Sequence, residues 1–264
     1  TLPSSLEFIG ETAFAHCLSI KEITLPDSVK ELGIYAFSRC ESLESLTIGT
    51  GLEKVDFGFV SGCNSLERLT VKDGNKTFHS SGNCIIETAT KTLVQGCKTS
   101  VIPADGSVTS ISNRAFIAVR GLTRIVIPDS VKFIDIYCFY ECSDLAEVDF
   151  GKGLESIEEY SFGNCTSLKE VTLPDSIKSV AHCAFHECAS LTKVTVGKGI
   201  QTIKDAFNDC TLLSDFNFTG TVTEWLAVEK PISLNYHCPF TVIHCSDGDV
   251  DARDGGVFDP SLIP

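Results

Sequence analysis

The side chains of this chain that could do chemistry are first of all its cysteines and histidines. The sequence contains 13 cysteines and 6 histidines, and several histidines directly precede a cysteine. A histidine within hydrogen-bond reach of a cysteine can activate the thiol as a nucleophile, and both residue types are zinc ligands. The adjacent pairs are His16-Cys17, His182-Cys183, His237-Cys238 and His244-Cys245.

The densest of these clusters consists of His182, Cys183, His186 and Cys188. On a helix, His182 and His186 would lie on one face, as the histidines of some zinc sites do. Phe185 and Cys188, however, belong to the inward side of the repeat described below, which leaves the histidines on the surface. We therefore predict an incidental surface pair and no metal site here.

Alternating carboxylates near the end of the chain resemble a calcium-binding loop. Asp247, Asp249 and Asp251 are spaced as such loops require, but the loop also needs Gly at its sixth position and Glu at its twelfth. Ala252 and Phe258 occupy those positions. A solvated acidic tail is the favoured interpretation. Since P-loop, dinucleotide-binding and nucleophile-elbow motifs are also absent from the sequence, we predict no catalytic residue and no cofactor.

The spacing of the cysteines is the most informative pattern in the sequence. Cys17, Cys40 and Cys63 follow one another at intervals of 23 residues. The same interval separates later cysteines, and a fixed period of 20–50 residues is typical of a solenoid. The cysteine column consists of Cys17, Cys40, Cys63, Cys142, Cys165, Cys188 and Cys210. A phenylalanine column accompanies it, with Phe14, Phe37, Phe116, Phe139, Phe162, Phe185 and Phe207.

Each repeat unit predicts a coil with three sides. Its L-x-x-L-x-L step has the period of two that indicates a short strand with one inward face. A second apolar pair, such as Val131 and Ile134, predicts a second strand, and Ala-Phe-x-x-Cys predicts a helical or 3₁₀ turn at a corner. Prolines such as Pro128 end the first strand, where a missing N–H is tolerated.

The unit Leu-Pro-x-Ser-Val-x-x-Ile-x-x-x-Ala-Phe-x-x-Cys-x-x-Leu resembles the BspA-like class of leucine-rich repeat over nearly all of residues 1–218. The resemblance implies a mainly β fold with short helical turns, a curved leucine-rich-repeat solenoid of about 23-residue repeats. It also implies a secreted or surface protein of the kind found in gut and oral bacteria and in some mucosal protozoan parasites. Such proteins are associated with adhesion and host interaction, and the family has no shared catalytic residues.

Two regions depart from the regular pattern. We assign residues 1–220 to the solenoid, with an irregular enlarged repeat at 72–100, where Cys84 to Cys97 predicts two strands around a turn near Ala89-Thr90. The insertion lies either on a functional face or in a plain enlarged loop. Residues 221–264 resemble the family's C-terminal cap followed by an acidic tail. Because residue 1 lies within a repeat, we expect the N-terminal cap to be missing from this piece.

Charge and cysteine placement limit the class of protein. Acidic residues exceed basic residues by 14, which disfavours nucleic acid and anionic membranes as partners. No apolar run reaches the roughly 18 residues that span a membrane. Column cysteines should be buried free thiols, because parallel side chains do not give the torsion of a disulfide. The better disulfide candidates are Cys84 with Cys97 and Cys238 with Cys245, although the reduced state is favoured there too.

The outward side of the first strand is the surface that we predict to bind. It should form a regular and concave sheet face with a mixed charged strip, and its candidate binding residues are Arg68, Arg124, Glu147, Glu170 and Lys193. We predict a monomeric, non-catalytic module, extracellular or on the cell surface, that recognises an unidentified protein or glycan. The alternatives are a structural spacer that projects another domain and, third, an enzyme or metal-binding protein that uses the Cys/His cluster.

Overall fold

The computed structural model describes residues 2–231 and 234–252 of the chain. In these residues the chain forms short strands and one five-residue helix, and it winds into a β-solenoid of about 10 turns. The strands are β1 (Phe8–Ile9), β2 (Glu22–Thr24), β3 (Glu31–Leu32), β4 (Ser45–Ile48), β5 (Lys54–Val55), β6 (Arg68–Val71), β7 (Phe78–Ser81), β8 (Cys84–Glu87), β9 (Thr92–Gln95), β10 (Ser110–Ile111), β11 (Arg124–Ile127), β12 (Phe133–Ile134), β13 (Glu147–Phe150), β14 (Ser156–Ile157), β15 (Glu170–Thr172), β16 (Ser179–Val180), β17 (Lys193–Val196), β18 (Thr202–Ile203), β19 (Asp215–Phe218), β20 (Val242–Cys245) and β21 (Gly248–Asp251); the helix is α1 (Val222–Leu226).

Each regular coil has the two strands that the sequence predicts. First strands stack in parallel in the orders β2-β4-β6, β11-β13 and β15-β17-β19, and second strands stack in the orders β1-β3-β5 and β10-β12-β14-β16-β18. The register keeps equivalent residues opposite one another, as Ile125 lies opposite Val148. In β4, Leu46 and Ile48 are buried while the alternate residues are partly exposed. The period of two in the sequence therefore places one side of each first strand in the core.

The third side of the coil is a corner that is more irregular than a helical turn. Tyr140 donates its N–H to the carbonyl of Tyr137, three residues earlier, whereas Phe139 donates to Ser161 of the next coil at 2.6 Å. Left-handed residues such as Tyr137 and Glu141, with φ of 56° and 60°, interrupt the turn. A continuous helix would direct every N–H along its own coil, so alternation is what allows neighbouring corners to bond to each other.

Stacked phenylalanines fill the core beside the corner. Phe139 lies between Phe116 and Phe162, with ring centroids 4.8 and 4.9 Å apart and the rings nearly parallel. The stack continues through Phe185 to Phe207 at 5.2 and 5.3 Å. All of these rings are fully buried. Their spacing places the coils at the separation of adjacent strands in a sheet.

The cysteine column forms a ladder of thiol hydrogen bonds. The Sγ of Cys142 donates to the carbonyl of Phe116 in the preceding coil at 3.0 Å, and Cys165 donates in the same way to Phe139 at 3.3 Å. Every cysteine is free, so the prediction of buried free thiols holds for the column except at Cys17, which is free but partly exposed. Neither of the two disulfide candidates forms, and Cys238 instead extends the ladder by donating to Phe207 at 3.0 Å.

The Leu-Pro-Asp-Ser step of the repeat joins each coil to both of its neighbours. The carboxylate of Asp27 accepts the N–H of Thr50 from the following coil at 3.0 Å. The hydroxyl of Ser28 donates to the carbonyl of Leu6 in the preceding coil at 2.7 Å. Aspartate and serine therefore recur because their short side chains pair backbone groups that the strands leave unpaired.

The enlarged repeat at 72–100 is an antiparallel meander. The turn near Ala89-Thr90 between β8 and β9 is confirmed. Strand β7 was not predicted, although Gly82-Asn83, both with φ of 56°, gave the signal of a two-residue hairpin turn. Because β9 pairs in parallel with β10, the insertion stacks, as expected, and extends the second-strand sheet.

The meander also separates the core into two clusters. On β8, Ile85 packs with the residues that precede the insertion and Ile86 with those that follow it. On the corner side the insertion is bypassed, because the hydroxyl of Ser61 approaches the carbonyl of Ile117 at 3.5 Å. The extra residues therefore interrupt the first-strand sheet between β6 and β11 but leave the corner continuous.

The C-terminal part covers the last coil. Helix α1 begins at the N-cap Thr221 with a capping box completed by Glu224. It buries Trp225, whose ring centroid is 5.2 Å from that of Phe218. Strand β20 then pairs with β19, and β21 pairs back antiparallel. The rest of the predicted acidic tail, 253–264 with Phe258, lies outside the described residues.

In residues 2–231 and 234–252, no helix has the length and apolar character needed to cross a membrane.

Candidate functional site

The five residues predicted to bind on the first-strand face do not share one sheet. Arg68 ends the β2-β4-β6 sheet, Arg124 and Glu147 lie on the β11-β13 sheet, and Glu170 and Lys193 lie on the sheet that begins with β15. Each of these side chains is at least partly exposed. The insertion and the break between β13 and β15 thus divide the predicted strip into three segments.

Most of these charges are satisfied by neighbours on the same face. Arg124 Nε lies 3.0 Å from Glu147 Oε1, and its guanidinium also contacts Asp149. Lys193 Nζ lies 3.1 Å from Asp215. Such exposed ion pairs contribute little to stability, but they leave little net charge for a partner. Among the described residues, Glu170 has no ion-pair partner.

The ion pairs of this face have visible effects on titration. The hydrogen bond to Glu147 and the nearby carboxylate of Asp149 raise the pKa of Arg124. Burial acts to raise the pKa of Asp215, but the hydrogen bond from Asn217 and the ammonium of Lys193 outweigh it and lower that pKa. Both shifts favour the charged forms of the paired groups.

The histidine and cysteine side chains of the densest cluster point in different directions. Cys188 is fully buried and donates to the carbonyl of Phe162 at 3.2 Å. The imidazoles lie outside, where His182 approaches Asp205 and His186 approaches Asp209, both at 3.6 Å. In the described part of the chain, no group of three or more His, Cys, Asp or Glu could hold a metal ion.

Cys183 differs from the column thiols because it lies beside Tyr160. Burial raises the pKa of the Cys183 thiol. The hydrogen bond to that thiol raises the pKa of Tyr160 to about 12. Both groups are therefore neutral near pH 7, which is the opposite of what a nucleophilic cysteine requires.

The carboxylates of the calcium-like motif have structural partners. Asp247 accepts the N–H of Val222 at the start of α1 at 2.7 Å. Asp249 lies 2.9 Å from the imidazole of His244. Asp247 thus satisfies one of the free N–H groups at the helix N-terminus, which accounts for its position without a cation.

An aromatic ladder runs along the outside of the corner, and the sequence analysis missed it. It consists of Tyr35, Phe57, Arg114, Tyr137, Tyr160 and His182. Tyr137 and Tyr160 are stacked at 5.1 Å, and Tyr140 packs edge-on against both of them. The members are partly exposed, in contrast to the phenylalanines of the core. A signal was present, because Tyr137 and Tyr160 are one repeat apart.

The corner geometry explains why these side chains project from the surface. Tyr35, Arg114, Tyr137 and Tyr160 all have left-handed backbone. This conformation costs a non-glycine residue about 1–2 kcal/mol, but Thr12 and Cys183, at the same position of their repeats, adopt it as well. The conformation is therefore a requirement of the coil, while the choice of aromatic side chains at these positions is not.

Arg114 occupies the place in the ladder where the insertion is bypassed. Its guanidinium carbon lies 4.6 Å from the ring centroid of Phe57 and 4.7 Å from that of Tyr137. Nη1 donates to Asn113 Oδ1 at 2.9 Å, and the buried Nε has no hydrogen-bond partner. No carboxylate in the described residues comes within ion-pair distance of this guanidinium. The ladder thus holds a positive charge by cation–π contacts and leaves it without a counter-ion.

Comparisons with known proteins agree with the repeat architecture. The family model for the BspA type leucine rich repeat region matches six copies over residues 1–94 and 109–227. No curated protein gives a significant match.

Solved structures share the fold at low sequence identity. A leucine rich cell surface protein from Faecalibacterium prausnitzii A2-165 is 24% identical with a TM-score of 0.71, and the match covers 86% of this chain and 61% of that chain. A leucine-rich repeat protein from Eubacterium ventriosum ATCC 27560 is 18% identical, with a TM-score of 0.60 over 97% and 70% of the two chains. The pneumococcal vaccine antigen PcpA is 18% identical, with a TM-score of 0.60 over 85% and 70%. The match to the Faecalibacterium protein thus spans about three fifths of that protein's length.

Proposed function

Because the chain belongs to the family of BspA-type leucine-rich repeats, we propose that it is a non-catalytic recognition module of a bacterial cell surface, and that its partner is a protein. The observation that carries the proposal is the aromatic ladder on the corner. Tyrosine and arginine are the residues in which protein interfaces are enriched and which most often dominate binding energy. A surface that serves only for solubility has no need of them.

The ladder is prepared for a protein partner in two ways. Its side chains are already ordered by stacking, so binding does not have to fix them. The faces of its central ring are occupied, because Tyr137 lies between Arg114 and Tyr160. A partner therefore meets ring edges, phenol hydroxyls and charged groups. A sugar ring, which needs an open aromatic face for stacking, fits this arrangement less well.

The first-strand face is the second candidate surface. We keep its five predicted residues as proposed contacts, because they project from strands. They are Arg68, Arg124, Glu147, Glu170 and Lys193. Because their charges are largely paired within the face, they would contribute to specificity more than to affinity.

The arrangement of the thiols supports a role without catalysis. Burial raises the pKa of Cys138, Cys165 and Cys188. A thiol nucleophile needs a lowered pKa and access to solvent. The surface location is suggested by the name of the Faecalibacterium protein, and a role in adhesion or host interaction would follow from it.

Capture of surface proteins by two matched variants tests the proposal. The immobilised chain, a Tyr137→Phe/Tyr140→Phe/Tyr160→Phe variant and a Glu147→Lys/Glu170→Lys/Lys193→Glu variant are incubated with surface extracts of bacterial and epithelial cells. The tyrosine variant keeps the stacked rings and removes only the hydroxyls. We expect a discrete protein that the wild type and the first-strand variant retain and that the tyrosine variant loses.

The other outcomes are equally informative. Loss with the first-strand variant alone would move the binding surface to that face. Retention of no specific protein by the wild type would favour the structural spacer. Stoichiometric zinc in the purified protein would favour the Cys/His metal-binding alternative.

A further inference from the structure

We propose that Arg114 is an anchor that binds a carboxylate of an acidic polypeptide segment. The inference rests on the proposed function, because it names the chemistry of the partner at the aromatic ladder. Arginine is the residue whose planar fork matches a carboxylate with two parallel hydrogen bonds.

The guanidinium of Arg114 is already held in a binding orientation. Its carbon lies over the rings of Phe57 and Tyr137, 4.6 and 4.7 Å from their centroids, and its Nη1 donates to Asn113 Oδ1. The first-strand arginines are different, because Arg68 and Arg124 contact carboxylates of their own face. A positive charge that is ordered and unpaired loses little on binding, and this favours capture of an anion.

The charge of the surroundings supports an acidic partner on this half of the ladder. The side chain of Arg39 passes over Gly62, since a Cβ built on that glycine would lie 3.2 Å from Arg39 Cγ. Arg120 is exposed and follows the corner that contains Arg114. Neither has a carboxylate within ion-pair distance among the described residues. The nearby Asp56 is within 3.7 Å of Lys54 Nζ. In a chain with a net charge of −14, three arginines in or next to consecutive corners, Arg39, Arg114 and Arg120, are thus without an ion-pair partner among the described residues.

The aromatic neighbours favour a polypeptide over an acidic saccharide. Both faces of Tyr137 are covered, by Arg114 and by Tyr160, so a sugar ring finds no face on which to stack. A Glu or Asp side chain needs no such face, because its carboxylate approaches in the plane of the guanidinium. Ring edges beside the guanidinium then pack against the rest of the segment.

Peptide binding with matched arginine variants tests the inference. A fluorescent hexaglutamate peptide and its hexaglutamine counterpart are titrated by anisotropy to about 1 mM protein, which detects even weak binding. Wild type, Arg114→Gln, Arg114→Lys and a control at an exposed lysine outside both candidate surfaces, Lys152→Gln, are compared at low and high salt. We expect hexaglutamate alone to bind, with a loss of about tenfold or more in Arg114→Gln and no change in Lys152→Gln.

The lysine variant separates charge from geometry. Arg114→Lys keeps the charge without the planar fork, and we expect it to bind several-fold more weakly than the wild type. If Arg114→Gln lowers the melting temperature, Arg39→Gln replaces it, since this exposed side chain can be removed without opening the ladder. It should weaken binding about twofold to fivefold.

Three results would overturn the inference. They are absence of hexaglutamate binding, equal loss in Arg114→Gln and Lys152→Gln, and preferential binding of a uronic acid oligosaccharide used as a competitor. Each leaves the proposed function standing if the tyrosine variant still loses its captured protein. If that capture also fails, the recognition role fails with it.

Discussion

Alkaline pH should unfold this protein through its buried thiols. The fully buried thiols with a raised pKa are Cys84, Cys138, Cys142, Cys165, Cys188 and Cys210. Burial is the main cause for the first five, and a bond to the Cys188 thiol is the main cause for Cys210. For Cys142 the pKa rises to about 12. These thiols stay neutral in the fold at a pH where an unfolded chain ionises them.

The sign of the effect follows from linkage. An unfolded cysteine has a pKa near 8.5, so above that pH the unfolded state binds fewer protons than the folded state. Stability then falls as pH rises, by about 1.4 kcal/mol per thiol for each unit. At about pH 9.5 each thiol whose folded pKa lies well above that value removes about 1.4 kcal/mol. Several such thiols together remove a sizeable part of the roughly 5–15 kcal/mol that stabilises a typical protein.

Urea unfolding in the presence of a reductant measures the loss. Midpoints are compared at about pH 7, 8.5 and 9.5 for the wild type, for Cys142→Ser and for Cys142→Ser/Cys165→Ser. Serine keeps a hydrogen-bond donor for the phenylalanine carbonyl and does not ionise. We expect the pH dependence to decrease in two nearly equal steps, even though each variant is less stable at neutral pH.

A flat profile would refute the reasoning. If the midpoint of the wild type is the same at pH 7 and 9.5, the thiols do not stay neutral in the fold. If the serine variants keep the full pH dependence, other groups cause it. Either result would show that the cysteine column is not sealed from solvent.

Three further predictions concern the packing of the coils. Phe139→Leu removes two stacked ring contacts and should cost about 1–3 kcal/mol beyond lost burial. Phe116→Leu, with one stacked neighbour, should cost about half as much in urea unfolding, and equal costs would contradict the stack. Titration of the native protein with a thiol reagent should modify only the three partly exposed cysteines, Cys17, Cys238 and Cys245. Early reaction of further cysteines would show that the column is open to solvent. The amide of Thr50 and the ammonium of Lys72 lower the pKa of Asp27. The stability that this carboxylate contributes is present above its unfolded pKa near 4 and is lost as the pH falls through the lower folded value. Asp27→Asn should therefore flatten the decrease in melting temperature below about pH 4, and an unchanged slope would contradict a role of Asp27 in acid stability.

The sequence alone determined the coil and its buried columns. Apolar residues, phenylalanines and cysteines recur at a fixed interval, and an interval of this kind can be satisfied only if equivalent residues stack. The direction of each column residue followed from the same pattern, which is why the free thiols at Cys142 and Cys165 were predicted correctly. The inward side is encoded locally, because burial depends on the type of each residue and its place in the repeat.

Which outward residues lie together depends on the path of the folded chain. On the strand side of the coil, the insertion lies between strands β6 and β11. It therefore separates Arg68 from Arg124, although the two arginines occupy the same position of the repeat. On the corner it is bypassed, so Phe57 and Arg114 meet across more than two repeats. Solvent accepts many outward patterns equally well, and the repeat period therefore does not constrain them. Contacts on the surface are set by the path of the irregular coil, which no local pattern of the chain encodes.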